Sequence, residues 1–202
     1  MLREYGVPTT REVVVTSAAE AVRAAEHLGW PIVMKASGPA IAHKSDLGLV
    51  RLGVAGAAAV RATYRELVAA SGSAEVLVAE QVTGGVAETV VGLARDAVFG
   101  PVVAVGIGGV LIEVLGDVSF GIPPFDRRHA RRMVESLRGA TILHGVRGRP
   151  AADIDALVDV VLRVQRLGLE LHAEITELDV NPLVLRPRGG GAVALDAWMV
   201  RP

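Results

Sequence analysis

The chain has no cysteine, which removes thiolate nucleophiles, disulfides and cysteine-ligated zinc from its repertoire. Neither sign of charge dominates. Its 21 basic and 22 acidic residues leave a net charge of −1, so there is no basic field for nucleic acid and no cationic face for anionic lipid. Long hydrophobic runs are lacking too: the longest uncharged apolar stretch, residues 97–112, is broken by Gly100, Pro101, Gly106, Gly108 and Gly109 and is too short for a membrane helix. The first ten residues carry Arg3, Glu4 and Pro8, unlike a secretory signal. A cytoplasmic protein is expected. Its chemistry must come from carboxylates, histidine, lysine, arginine or backbone.

Lysine is also scarce. Of the 21 basic residues only Lys35 and Lys44 are not arginine. Two lysines this close together in an arginine-rich chain are either a chance pair or positions where a compact ammonium matters. What is abundant is apolar: 51% of the 202 residues, enough to bury one large core or two small ones.

Along the chain, residues 12–15 read as a strand, and Thr16 and Ser17 offer an N-cap to a helix over 18–28 that stops at Gly29. Residues 30–37 and 47–54 read as strands either side of a loop beginning at Gly38 and Pro39. A helix is expected over 57–70, stopped by Gly72, then a strand over 76–82. After a turn at Gly84 and Gly85, residues 88–96 alternate as a hairpin partner, and 101–109 continue the sheet. Residues 110–122 read as two short strands around Gly116. Helices are expected over 127–137 and 152–167, and residues 173–200 close the chain as strand, turn, strand. This order predicts an α+β architecture of two packed lobes, with sites between them, and not a doubly wound sheet.

Several residues could carry chemistry. Asp179 and Asn181 are two apart on a strand and project to one face. Asp196, on the returning strand, can come opposite them, giving an oxygen-only set suited to Mg²⁺ bridging phosphates, or simply a polar turn. Lys35 ends an apolar strand, where burial requires an anionic partner: a nucleotide phosphate or a structural carboxylate. His43, Lys44, Ser45 and Asp46 form either a hydrophilic turn or a loop that takes and gives a phosphoryl group through His43. Glu80 and Glu88 flank the glycine turn, either as solvated hairpin carboxylates or as partners of ribose hydroxyls. Gly106, Gly108 and Gly109 could cradle phosphate, yet they lack the spacing and following helix of a dinucleotide fingerprint. His27, His129, His144 and His172 show no metal-like spacing and read as structural or surface residues.

Taken together, LREYGVP (2–8), GWPIVMKAS (29–37), AHKSDLGLV (42–50), VLVAEQVTGGVAETVVGL (76–93), LHGVRGRP (143–150), ITELDVNPLVL (175–185) and VALDAW (193–198) resemble the ATP-grasp domain of ADP-forming acyl-CoA synthetases, related to succinyl-CoA synthetase β. The resemblance runs over nearly the whole chain. It implies a single ATP-grasp domain over 1–202, with lobes of about 1–82 and 83–202 and the nucleotide cleft between them. It also implies that Lys35 contacts the phosphates, that Glu80 and Val82 form the adenine hinge, and that Glu88 binds ribose. Gly108, Gly109 and Glu113 match a glycine-rich segment of the nucleotide cleft, while Asp179, Asn181 and Asp196 match the Mg²⁺ ligands. His43 matches a histidine that ferries phosphate between a partner's phosphohistidine and ADP. The implied cofactors are ATP/ADP and Mg²⁺. The implied partner is a CoA-binding, phosphohistidine-bearing α subunit or domain in a hetero-oligomer, with the acyl substrate held on the partner. Two departures stand out: Leu49 replaces a family glycine after the HKSD loop, and the match begins partway into the family's first helix. A different implied role is that of the non-catalytic ATP-grasp-like module attached to some protein lysine acetyltransferases.

Overall fold

The computed structural model describes residues 1–38, 48–109 and 116–202. His43, Lys44 and Glu113 lie outside the described residues. The chain divides into two compact units, Thr10–Thr83 and a second unit made of Met1–Thr9 with Gly84–Pro202. This differs from a division at 1–82 and 83–202 in the place of the first nine residues, which pack with the second unit. Val7 lies in that unit's core, Arg163 donates to the Gly6 carbonyl at 2.6 Å, and the Ala194 N–H donates to the Pro8 carbonyl at 2.8 Å.

The first unit is built from strands β1 (Glu12–Val15), β2 (Ile32–Ala36), β3 (Val50–Val54) and β4 (Val76–Glu80) with helices α1 (Ala18–Leu28) and α2 (Ala57–Ser71). The strands form an antiparallel sheet in the order β1-β4-β2-β3. Helix α1 begins as its sequence predicts: Ser17 Oγ accepts the Glu20 N–H at 3.2 Å, and the Glu20 carboxylate accepts the Thr16 N–H at 2.8 Å, a capping-box arrangement. Gly72 ends α2 in the left-handed conformation, its N–H donating to the Val68 carbonyl, as a C-terminal glycine does. Strand alternation sends Ile32, Met34, Val76 and Val78 into a core shared with Ala21, Val22, Ala25, Leu28, Val60 and Leu67 of the two helices. Val33, Lys35, Leu77 and Ala79 therefore occupy the other face.

The second unit holds β5 (Ala87–Asp96), β6 (Gly100–Ile107), β7 (Val118–Gly121), β8 (Glu177–Leu185), β9 (Ala192–Ala194) and β10 (Ala197–Val200), with helices α3 (Arg127–Glu135) and α4 (Ile154–Glu170) and a 3₁₀ turn over Ala140–His144. Its sheet runs β10-β8-β5-β6-β7, with β9 also paired to β8. Val91 and Leu93, Val103 and Val105, and Leu178 and Val180 meet Met133, Val134, Leu157, Val161 and Val164 in one core. Helix α4 comes so close to β5 that a Cβ on Gly168 would lie 2.5 Å from Leu93 Cδ1. A side chain there would have to push the Leu93 side chain aside.

The architecture is α+β with antiparallel sheets, as the element order implies. One pairing differs from the sequence reading. Strands β4 and β5 do not form a hairpin, because both edges of β4 are already taken by β1 and β2, while β5 lies in the other sheet between β6 and β8. Among the described residues no helix is long and apolar enough to cross a membrane.

Candidate functional site

In the first unit, Lys35 is 7% exposed on the sheet face away from the helices, opposite Leu77 on one neighbouring strand and Val50 on the other. A lysine so placed keeps its charge only with polar or anionic company. Glu80 ends β4, and its carboxylate accepts the Arg11 N–H at 2.9 Å and Arg11 Nε–H at 2.8 Å. Arg11 also donates to the Leu28 carbonyl, so the Glu80 side chain holds the start of this unit together. Val82, two residues further on, is half-buried. Leu49 is buried, following Gly48 at φ +63°, and its carbonyl accepts the Ala36 N–H at 3.0 Å. The bulk that replaces a family glycine is therefore packed away.

In the second unit, alternation on β5 puts Thr89, Val91 and Leu93 toward the buried side and Glu88, Val90 and Gly92 on the face away from α3 and α4. On β6 the core positions Val103, Val105 and Ile107 leave Gly106 and Gly108 on that same face. The Gly108 N–H donates to the Glu88 carbonyl at 2.8 Å. A Cβ at Gly108 would lie 3.0 Å from the Glu88 and Thr89 backbone, and one at Gly109 (φ +67°) 3.5 Å from Glu88 Oε2. The glycines thus permit a backbone-to-backbone approach that seats the Glu88 carboxylate beside Gly109.

On β8, Leu178 and Val180 point to the core, so Asp179 and Asn181 share the opposite face with Glu88. Asp179 lies across from Gly92 on β5 and from Trp198 on β10. The Asn181 N–H donates to the Asp196 carbonyl at 3.1 Å, which places Asp196 directly opposite Asn181. Asp196 Oδ1 accepts the Ala197 N–H. Among the described residues no three His, Cys, Asp or Glu side chains form a metal cluster. The set here is two carboxylates and an amide, the donor chemistry of Mg²⁺ that takes its remaining ligands from phosphates and water. The structure thus brings Glu88, Gly108, Gly109, Asp179, Asn181 and Asp196 to one face of one sheet, with Asp179 across from Gly92, four residues along β5 from Glu88 and so roughly 13 Å from it along the strand.

Two residues beside this site were given no role from sequence. Asp117 is 5% exposed and accepts the N–H groups of Arg138 at 2.9 Å and Gly139 at 2.7 Å. A Cβ on Gly139 would lie 3.0 Å from Ile107 Cγ1 and 3.2 Å from Asp117 Oδ2, so Gly139 touches both flanks of the glycine-rich segment. The only signal was Asp117's place at the end of that segment. Arg11 had none, because its carboxylate partner is 69 residues away. Of the described histidines, His129 stacks on Phe125, His172 lies by the Leu169 carbonyl, and His27 and His144 are exposed.

An ATP-grasp domain model matches residues 1–200. The chain is 35% identical over 207 residues to the acetate–CoA ligase [ADP-forming] II subunit beta of Pyrococcus furiosus, covering 99% of this chain and 87% of that protein. It is 40% identical to acetate–CoA ligase [ADP-forming] I of Archaeoglobus fulgidus over 96% of this chain, but spans only 29% of that longer protein. Among solved structures, the dinucleotide forming acetyl-coenzyme A synthetase 1 of Ca. Korarchaeum cryptofilum, in complex with coenzyme A, Ca-AMPCP and HgCl+, superposes with a TM-score of 0.94 at 34% identity, covering 100% of this chain and 89% of that one. Another form of that protein, with coenzyme A and Mg-AMPPCP and its phosphohistidine segment pointing towards the nucleotide binding site, gives 0.86 at 35% identity, covering 100% and 88%. The family match over residues 1–200, on this fold, defines an ATP-grasp protein. Within that class the chain belongs to the family of the β subunits of ADP-forming acetate–CoA ligases.

Proposed function

We propose that this chain is the nucleotide-binding and phosphoryl-transferring part of an ADP-forming acyl-CoA synthetase, which interconverts acyl-CoA, ADP and phosphate with carboxylic acid, CoA and ATP. The observation that carries this reading is the gathering of Asp179, Asn181 and Asp196 on the same sheet face as Glu88, Gly108 and Gly109. In the synthetic direction His43 receives a phosphoryl group from the phosphohistidine of a CoA-binding partner. A β-phosphate oxygen of ADP then attacks that phosphorus, the P–N bond breaks, and ATP and neutral imidazole result. Phosphoryl transfer of this kind depends on positioning and charge stabilisation more than on covalent chemistry by the protein. Lys35 supplies a compact positive charge to the phosphates. Glu88 accepts hydrogen bonds from ribose hydroxyls, and Glu80 and Val82 offer the adenine a hinge. Asp179, Asn181 and Asp196 would hold Mg²⁺, which when bound neutralises charge on the phosphate oxygens.

The relatives support a partner. One is named a β subunit, and another carries the equivalent of this chain within a polypeptide more than three times its length. The reading therefore gives CoA and acyl chemistry to an α subunit or domain in a cytoplasmic hetero-oligomer. The test is transfer of label from γ-labelled ATP in the presence of Mg²⁺, with and without the CoA-binding subunit of the same organism, for wild type and His43→Ala. Label on the chain or its partner that disappears in His43→Ala supports the relay. Nucleotide binding without any transfer would overturn it and leave a regulatory nucleotide-binding module.

A further inference from the structure

Four arginines stand on two loops of the second unit that the proposed chemistry does not use. Arg147 and Arg149 lie between the 3₁₀ turn and α4, and Arg186 and Arg188 follow β8. The loops are tied edge to edge: the Arg188 N–H donates to the Ala151 carbonyl and the Asp153 N–H to the Arg186 carbonyl, both at 2.9 Å, and Ala152 bridges Pro187. All four arginines are exposed, and Asp153, at the end of the first loop, is the one acidic residue in either. Among the described residues none of the four guanidinium groups has an ion pair or hydrogen bond. The contrast within the same unit is clear, since Arg127, Arg131 and Arg166 are paired with Asp155, Asp159 or Glu170. Asp153, the nearest acid in sequence, is turned inward, its carboxylate accepting the N–H groups of Ala156 at 3.1 Å and Gly191 at 2.8 Å.

The loops are also held in a fixed form. Arg147 has φ +52°, the one non-glycine in the left-handed region among the described residues, a conformation that persists only where the surroundings impose it. A chain of net charge −1 thus holds four like charges together, without a counter-charge, on a rigid surface.

The backbone says what kind of anion fits. A phosphate cradle needs main-chain N–H groups turned outward. Here the N–H groups of Arg188, Gly190 and Gly191 donate inward to the Ala151 carbonyl, the Pro187 carbonyl and the Asp153 carboxylate, and that of Arg149 donates to the Val146 carbonyl. Among the described residues that leaves N–H groups such as those of Arg147, Gly148 and Gly189 without an acceptor, beside which the four guanidinium groups supply all of the positive charge that faces a ligand. The two arginines of each loop are two residues apart, a separation of up to about 7 Å, and a neighbouring loop adds roughly 5 Å. That breadth exceeds a single phosphate and suits several carboxylates spread over a protein surface.

We propose that these two loops are an electrostatic docking face for a carboxylate-rich segment of the CoA-binding subunit, an inference that rests on the partner assigned under the proposed function. Such a face governs encounter rate and register more than final affinity. The test is sedimentation and titration of the full chain with the CoA-binding subunit of the same organism, at about 0.1 M and about 1 M salt, where charges are screened beyond roughly 10 Å and 3 Å. Arg147→Glu with Arg149→Glu, and separately Arg186→Glu with Arg188→Glu, should each weaken association at least about tenfold at the lower salt, and the deficit should shrink at the higher. Arg61→Glu with Arg65→Glu, exposed on α2, should bind like wild type, and all variants should bind ATP as wild type does. Unchanged association of both loop variants, a deficit that persists at high salt, or an equal deficit in the α2 variant would each overturn the docking face while leaving the proposed function in place. Displacement of the partner by sub-millimolar pyrophosphate, with no matching effect of chloride, would overturn it in favour of a small-anion site. Failure of wild type to bind the subunit at all would overturn both.

Discussion

The two units solve the same packing problem and differ in what they leave on the far side of the sheet. Each covers one sheet face with a pair of helices. On the other face the first unit carries Lys35 among Val33, Leu77 and Ala79, all buried, whereas the second carries Glu88, Asp179, Asn181 and Asp196 among glycines. One contributes a buried lysine; the other contributes oxygen donors around a backbone that can be approached closely. Under the proposed function the two signs are separated: the charge that would meet the phosphates and the oxygens that would hold Mg²⁺ stand on separate frameworks.

The comparison breaks most sharply at the oxygen donors. Asp179→Ala or Asp196→Ala should lower the rate of Mg-dependent label transfer by at least about 10²-fold, with the melting temperature little changed; a rate within threefold of wild type would remove the metal assignment. Next, Gly168→Ala should test whether helix and sheet in the second unit are packed to the limit. Its Cβ would meet Leu93 at 2.5 Å, and overpacking of this kind costs about 1–3 kcal/mol, which thermal unfolding should register as a drop of roughly 3–10 °C. Gly108→Ala should combine both kinds of effect. Displacing Gly108 from Glu88 should weaken nucleotide binding by about tenfold at a stability cost near 1 kcal/mol, read by titration beside a melt.

Smaller effects sharpen the first unit. Arg11→Ala removes a partly exposed ion pair with Glu80 and should cost about 0.2–1 kcal/mol without altering transfer, because the pair ties strand to strand. The smallest is at Glu20, whose carboxyl is held below the usual range by hydrogen bonds first from the Thr16 backbone and then from its hydroxyl. A lowered folded-state pKa gives stability that is present above the unfolded carboxyl pKa and is lost as pH falls through the folded one. The melting temperature of Glu20→Gln should therefore lie slightly below wild type at pH 7 and converge with it in acid.

Much of the fold was legible because local signals were strong. Ser17 and Gly29 bracket α1, Gly72 ends α2, and the strand over residues 12–15 has the bounds its β-branched run suggests. What local signals could not supply was which strand lies beside which. The β4–β5 hairpin was inferred from the glycines between them, yet partner choice was decided by β1, some 60 residues away in sequence, claiming the free edge of β4. The candidate site followed the same rule. Period-two spacing put Asp179 and Asn181 on one face, and the returning chain delivered Asp196 to it. Arg11 and Gly139 were invisible because each acts through a partner distant in sequence, and Asp117 was marked only by its place at the end of the glycine-rich segment.

The bond between the Asn181 N–H and the Asp196 carbonyl has an evolutionary reading. Because main chain and not side chain fixes the meeting of these two positions, either side chain can change without moving the other. A lineage descended from such a protein could exchange the donors, or lose them one at a time, and still fold. Side-chain chemistry and backbone architecture are therefore separable at this hairpin.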